Sequence, residues 1–345
     1  MAIIIGLIII AIGAFCQSSC YVPINKIKDW SWESYWVVQG VFAWLVFPLL
    51  GALLAVPAGH SLTELFVSAP SFNVWMTVFF GVLWGVGGLT FGLSMRYLGV
   101  ALGQSIALGT CAGLGTIMGP VLLNIYFPEQ KPLESLTSAV IIGVVVTLIG
   151  IAIIGIAGHM KAQSLSEEEK KAAVKDFNFP KGIVIALLAG FMSGCFNVGL
   201  EFGKDINFGE LTNPMYSTLP ATLLVTLGGF VTNAVYCFYQ NSKNKTWGDY
   251  GKSAIWGNNL LFCALAGLLW YSQFFGLSLG KGFLTDSPTL TTFAFCILMA
   301  LNVVFSNVWG IILKEWKGVS QKTIVVLVIG IAVLIVSTFV PELLK

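Results

Sequence analysis

Thr137-Ser-Ala-Val-Ile-Ile-Gly-Val-Val-Val-Thr-Leu-Ile-Gly-Ile-Ala-Ile-Ile-Gly-Ile-Ala-Gly158 is a run of 22 residues without a charge. As a helix rising 1.5 Å per residue it is about 33 Å long, enough to cross the roughly 30 Å hydrocarbon layer of a bilayer. A strand of a transmembrane barrel would alternate with a period of two over about ten residues, and this run does neither. Comparable runs lie at about residues 2–23, 34–57, 72–95, 98–126, 182–202, 215–240, 254–280, 289–313 and 322–341, so the sequence predicts ten membrane-spanning helices and no sheet. The breaks between them are short and carry Pro, Asn, Asp or Lys, as at 25–29, 128–132 and 241–249.

Composition agrees with an all-α integral membrane protein. Of 345 residues 57% are hydrophobic and 10% charged, with a mean hydropathy of +0.86, where a soluble domain carries about a quarter charged residues. Nine of the charged residues crowd into positions 161–181, where Ser166-Glu-Glu-Glu169 reads as a capping box opening a short surface helix. That stretch suits a linker. A net charge of +2 rules out a phosphate-neutralising nucleic-acid surface. The first run lacks a basic n-region and an A-x-A cleavage pattern, so it is expected to stay as span one.

The opening stretch also repeats. Val145-Val-Thr-Leu-Ile-Gly-Ile-Ala152 matches Val325-Val-Leu-Val-Ile-Gly-Ile-Ala332 at six of eight positions, an offset of 180. Gly6, Phe15, Val22 and Lys28 match Gly182, Phe191, Val198 and Lys204 at an offset of 176. These matches join the first and last spans of two halves, residues 1–158 and 182–345, flanking a linker at 159–181. Five spans per half is odd, so the repeats are inverted, the architecture of alternating-access secondary transporters. With the N-terminus outside, inward loops hold fourteen Lys and Arg and outward ones four. Cytoplasmic loops retain positive charge, which puts both termini on the periplasmic side and the linker in the cytoplasm.

Other functions lack their residues. No phosphate-binding G-x-x-x-x-G-K-[ST] occurs, no TVGYG-like filter, and no nucleophile with a base that would make an intramembrane enzyme. Seven cysteines sit in apolar runs without a CxxC pair or a nearby histidine, and His60 and His159 lie at span ends, so neither a metal nor any other cofactor is expected. The expected partners are a small solute, a coupling ion and the lipid bilayer.

A small polar solute would need a cavity with amide or hydroxyl groups and, if it has an apolar face, an aromatic surface. Trp84 lies near mid-span, Trp270 occupies the corresponding stretch of the second half beside Tyr271, and Gln273 follows on the same helix face, with Asn259 eleven residues before Trp270 on that stripe. Gln17, Tyr21 and Asn25 form a polar line in span one, answered by Ser193 and Asn197 in span six. These lines read equally as interhelical hydrogen bonds or as facing walls of a solute path. Gly81, Gly85, Gly88 and Gly92 form a side-chain-free stripe in span three, suited to close packing or to room beside Trp84. Among residues that could couple transport to a cation gradient, a proton included, the acids are few: Glu33, at the cytoplasmic mouth of span two, and Glu201, near the outer end of span six with Lys204 close by. Asp286 falls in an outward loop, and Arg96 ends span three, where it meets carbonyls, lipid phosphate or Glu33. No acid lies at mid-membrane, which leaves Na⁺ coupling and facilitated diffusion open.

Several motifs together resemble one family. They are the span-three stretch Gly81-Val-Leu-Trp84 through Arg96-Tyr-Leu-Gly-Val-Ala-Leu-Gly103, Trp30-Ser-Trp32-Glu33, Leu268-Leu-Trp270-Tyr271-Ser-Gln273-Phe-Phe and Leu313-Lys-Glu-Trp316, with Asn213-Pro214, Leu219-Pro220, Asn233 and Cys237-Phe238. Across all ten spans the chain resembles the L-rhamnose–proton symporter family of the drug/metabolite transporter superfamily. It departs at Gly88 and Thr90, where the family pattern leads one to expect asparagines. The resemblance implies a bacterial inner-membrane importer that carries one sugar, L-rhamnose first among candidates, with a proton. The competing expectations are an exporter or importer of another small metabolite and, from a different class, a membrane sensor without flux.

Overall fold

The computed structural model describes residues 1–98, 100–164, 179–314 and 316–344. Among the described residues every regular element is helical, as the bilayer demands, since a helix satisfies its own backbone groups where no water can. The principal helices are α1 (Ala2–Ser19), α2 (Tyr21–Ile24), α3 (Trp32–Gly40), α4 (Phe47–Leu54), α5 (Leu62–Ser68), α6 (Ser71–Leu98), α7 (Val100–Tyr126), α8 (Ser138–Gln163), α9 (Phe179–Phe202), α10 (Leu219–Asn244), α11 (Ser253–Phe283), α12 (Pro288–Ile312), α13 (Gln321–Ser337) and α14 (Val340–Leu343). Among the described residues nine helical stretches are long and apolar enough to cross a membrane, and the tenth expected run forms the shorter α13, 17 residues. Large apolar side chains such as Ile4, Val67, Trp75 and Ile125 are well exposed, an arrangement that suits lipid and not water. The surface helix expected at 166–171 lies outside the described residues.

Two local features depart from a plain run of spans. The second span is not one α-helix: α3 and α4 are joined by a π-turn, Val41–Val46, which carries Trp44. Such turns take up an extra residue and concentrate at functional sites. The loop after α4 contains α5, opened by a reciprocal capping box in which Glu64 N donates to Ser61 Oγ at 3.1 Å and Ser61 N donates to Glu64 Oε2 at 3.4 Å.

The chain folds as two compact units, Met1–Gly85 with Phe202–Phe283, and Val86–Glu201 with Leu284–Lys345, each drawing helices from both sequence halves. In the first unit α1 lies along α11 on a seam of small residues. A Cβ on Gly13 would stand 2.9 Å from Ser272 O, one on Gly276 3.1 Å from Ile9 O and one on Gly280 2.9 Å from Gly6 O. Gly81 and Gly85 of the span-three stripe serve close packing against α10, Gly85 meeting Gly229 O at 2.9 Å by the same measure, whereas a Cβ on Gly88 meets nothing within 4 Å. In the second unit α8 and α13 make a reciprocal contact: Gly150 abuts Leu334, and Gly330 abuts Ile154. Thr147 Oγ1 donates to Ser337 Oγ across the same pair at 3.0 Å.

Candidate functional site

Trp44, near the middle of the Trp32–Leu54 span, meets Trp84 of α6 and Trp270 of α11, all within the first unit. Its ring is edge-on to both, with centroids 5.9 Å and 6.0 Å away, while Trp84 and Trp270 lie 5.6 Å apart at a tilt of 35°. Trp36 extends the set at 5.7 Å from Trp44, and Phe274 at 5.2 Å from Trp270. Glycines make the room: a Cβ on Gly40 would stand 2.6 Å from the Trp44 ring, and one on Gly229 would strike the Trp84 ring. Trp84 and Trp270 are half-buried and Trp44 is 4% exposed. The sequence reading found two of these tryptophans and passed over Trp44, although its mid-span position carries the same signal.

The unit that holds this aromatic set also holds several buried polar groups. Gln273 is buried and its Nε2 donates to Trp270 O at 3.2 Å. The Tyr271 hydroxyl, packed against Gly51, is buried without a hydrogen-bond partner, as are Trp44 Nε1, Gln39 Oε1 and Gln17 Oε1. Buried polar atoms are nearly always paired, so several orphans in one unit call for an explanation. Gln17 lies one helical turn beyond Gly13 on α1, whereas Tyr21 is 58% exposed.

A second polar region ties the ends of α2, α3, α10 and α11. Asp249, 7% exposed, accepts on Oδ2 from Ser31 N at 2.8 Å, Ser31 Oγ at 2.7 Å and Ser34 Oγ at 2.9 Å, and Lys252 Nζ lies 2.6 Å from its Oδ1. Burial opposes its ionisation, but Lys252 and the serine donors outweigh it and bring the carboxyl from 3.8 down to about 2. Asn259 is wholly buried and clasps Lys28, accepting from its N at 3.0 Å and donating to its O at 2.8 Å. Glu33, 1% exposed, accepts on Oε1 from Asn244 Nδ2 at 3.0 Å and Thr246 Oγ1 at 2.8 Å, while Oε2 is buried with no partner. Asp249 went unnoticed in the sequence because it sits in a polar break between spans, where an acid reads as solvated.

The remaining expected residues belong to the second unit. Asn197 of α9 is buried, donating from Nδ2 to Gly115 O at 2.8 Å with Oδ1 unpaired. Glu201 is half-buried, its aliphatic stem over Gly119. Among the described residues no group of three or more His, Cys, Asp or Glu is placed to hold a metal ion.

Comparison with known proteins gives this arrangement a lineage. A family model described as L-rhamnose-proton symport protein (RhaT) matches residues 1–343. The L-rhamnose-proton symporters of Yersinia pestis (strain Pestoides F) and Yersinia pseudotuberculosis serotype O:1b (strain IP 31758) are each 31% identical over 344 residues, covering 97% of this chain and 96% of the relative. The family is one of membrane transporters and not of enzymes, and with residues 1–343 matched this chain belongs to it, the L-rhamnose-proton symport protein family.

Proposed function

We propose that this chain imports L-rhamnose together with a proton by alternating access across a bacterial inner membrane. The observation that carries the reading is the mid-span tryptophan set, in a chain of a symport family, with unpaired polar atoms on the helices that bear it. A pyranose offers an apolar face to stack on tryptophan and a rim of hydroxyls that both donate and accept. In this reading Trp84 and Trp270 supply the stacking surface, Gln17, Tyr271 and Gln273 bind hydroxyls, and Asn259 serves the site by fixing the turn before span two. Glu33 is the stronger coupling acid, since it is buried with one carboxyl oxygen unpaired, and Glu201 is its rival.

The same reading has ten spans in two inverted repeats, 1–158 and 182–345, joined by a cytoplasmic linker at 159–181. At 17 residues α13 is at the short end of what crosses a bilayer. The contacts of Gly150 with Leu334 and of Gly330 with Ile154 are exchanged by the 180-residue offset of the sequence match. Reciprocity of that kind is what a two-fold relation between repeats produces. The fourteen-to-four charge bias supports periplasmic termini.

In de-energised cells, adding L-rhamnose should make the medium transiently alkaline, and a protonophore should abolish accumulation. Uptake that requires Na⁺ and shifts no pH rejects proton coupling, loss of preloaded sugar marks an exporter, and binding without counterflow in proteoliposomes marks a sensor. In a cysteine-free background, an impermeant thiol reagent outside should label a cysteine at His60 and not one at Lys243. The opposite pattern reverses the orientation.

A further inference from the structure

An indole N–H can only donate, and when a tryptophan is buried that donor is almost always paired. In the first unit Trp36 Nε1 donates to Asn233 Oδ1 at 3.0 Å, Trp256 Nε1 to Tyr250 O at 2.8 Å and Trp247 Nε1 to Ser242 Oγ at 3.1 Å. Trp44 is more buried than any of them, yet its Nε1 has no partner. Trp30 shares that condition, but its ring is boxed edge-on by Tyr250 and Trp256 at the loop end, away from mid-span. Trp44 is held in place by three separate devices. The π-turn Val41–Val46 carries it, Gly40 clears its ring, and Trp36, Trp84 and Trp270 fix it edge-on. A donor placed so firmly with nothing to receive its proton is a standing cost, and an acceptor arriving during transport removes it. Its neighbours Trp36, Trp84, Trp270 and Gly40 are neutral, which suits an uncharged oxygen such as a hydroxyl.

We propose that the Trp44 indole N–H donates to one ring hydroxyl of the bound sugar and thereby sets which sugar this chain selects. The inference rests on the sugar-symport reading above. It assigns Trp44 a role distinct from stacking, because a site that hydrogen-bonds a hydroxyl discriminates strongly against an analogue lacking it, whereas a merely apolar wall does not.

The test measures binding of L-rhamnose and of its 2-, 3- and 4-deoxy derivatives to purified wild type and Trp44→Phe, which keeps an aromatic ring and loses the donor. Trp44→Phe should weaken L-rhamnose about five- to 150-fold. One deoxy sugar should lose a similar factor on wild type and no further factor on Trp44→Phe, because the two changes remove the same bond. If Trp44→Phe is not monodisperse, benzothienylalanine at position 44, which replaces N–H by sulfur in the same shape, makes the same measurement. Wild-type affinity in the variant, or deoxy penalties that all persist in it, overturns the inference: the N–H then meets water or nothing. Wild type that binds no L-rhamnose overturns the functional reading and this inference with it, whereas normal wild-type binding beside a neutral Trp44 variant overturns this inference alone.

Discussion

The Asp249 region and the tryptophan region lie in the same unit, yet they differ in how far their polar atoms are paired, Trp30 Nε1 and one Glu33 oxygen being the orphans on the Asp249 side. Around Asp249 and Asn259 the side-chain oxygens and amide are spent on named partners, mostly backbone and side chains of the loops they join. In the tryptophan region Trp44 Nε1 is buried and unspent, as are the Tyr271 hydroxyl and Gln17 Oε1 on helices of the same unit. Paired groups repay their desolvation and fix a conformation, whereas an orphan keeps losing it until something binds. The first region therefore reads as scaffold and the second as a place where a polar solute stops. Glu33, on the Asp249 side, combines the two conditions, with one oxygen held by Asn244 and Thr246 and the other buried without a partner.

That double character gives the largest expected effect. Glu33→Gln retains an acceptor for Asn244 and Thr246 but cannot exchange a proton. If Glu33 carries the coupling proton, the variant should exchange labelled for unlabelled L-rhamnose across the membrane while losing uphill accumulation and sugar-induced alkalinisation entirely. Glu201→Gln should leave both intact. Alkalinisation that survives in both variants clears both acids of the coupling role.

The contrast between scaffold and site is then open to substitutions on each side. Gln273→Ala should weaken L-rhamnose binding by about 1 to 3 kcal/mol in protein that stays folded, with Trp270→Phe milder than Trp270→Ala, which also loses the packing on Trp44, Trp84 and Phe274. Asn259→Ala should act mainly on the fold, lowering the unfolding midpoint, with a smaller loss of affinity in the folded fraction through the turn it holds. Unchanged affinity in folded Gln273→Ala and Trp270→Ala moves the sugar site elsewhere.

Asp249 makes the scaffold half of the contrast quantitative through pH. Its carboxyl is depressed from 3.8 to about 2 in the folded protein, so its stabilisation is fully present above the unfolded value and is lost as pH falls through about 2. The gap corresponds to about 2 kcal/mol at neutral pH. Asp249→Asn should thus lower stability at pH 7 by about that amount. The difference between wild type and variant should shrink between pH 4 and pH 2, and a difference independent of pH would assign the effect to lost packing instead of charge.

What could be read from the sequence divides along physical lines. Span existence was legible because twenty-residue charge-free runs admit no other structure in a bilayer, and Trp84 and Trp270 were legible because tryptophan at mid-span departs from the usual interfacial belt. The π-turn was not, since nothing in Val41–Val46 announces it and only packing around Trp44 selects it. The capping box at Ser61 and Glu64 was readable by the rule applied at Ser166, but it lay in a short loop where no helix was sought. The clasp of Asn259 was not legible, because helical spacing gives its face and not its partner, and that partner, the Lys28 backbone, is 231 positions away.

The smallest effect probes where the site stops along α6. Gly85 is closed in by α10, while Gly88, nearly one turn further on, has nothing within 4 Å of a built Cβ. If that open space lies outside the sugar's path, Gly88→Ala should leave L-rhamnose affinity unchanged. It should also raise stability slightly, by about 0.5 to 1 kcal/mol, since alanine loses less backbone freedom than glycine on forming a helix. Gly85→Ala, which must push against Gly229 O and Thr232, should instead destabilise the fold. A loss of affinity in Gly88→Ala at undiminished stability would give this position a direct part in choosing the sugar.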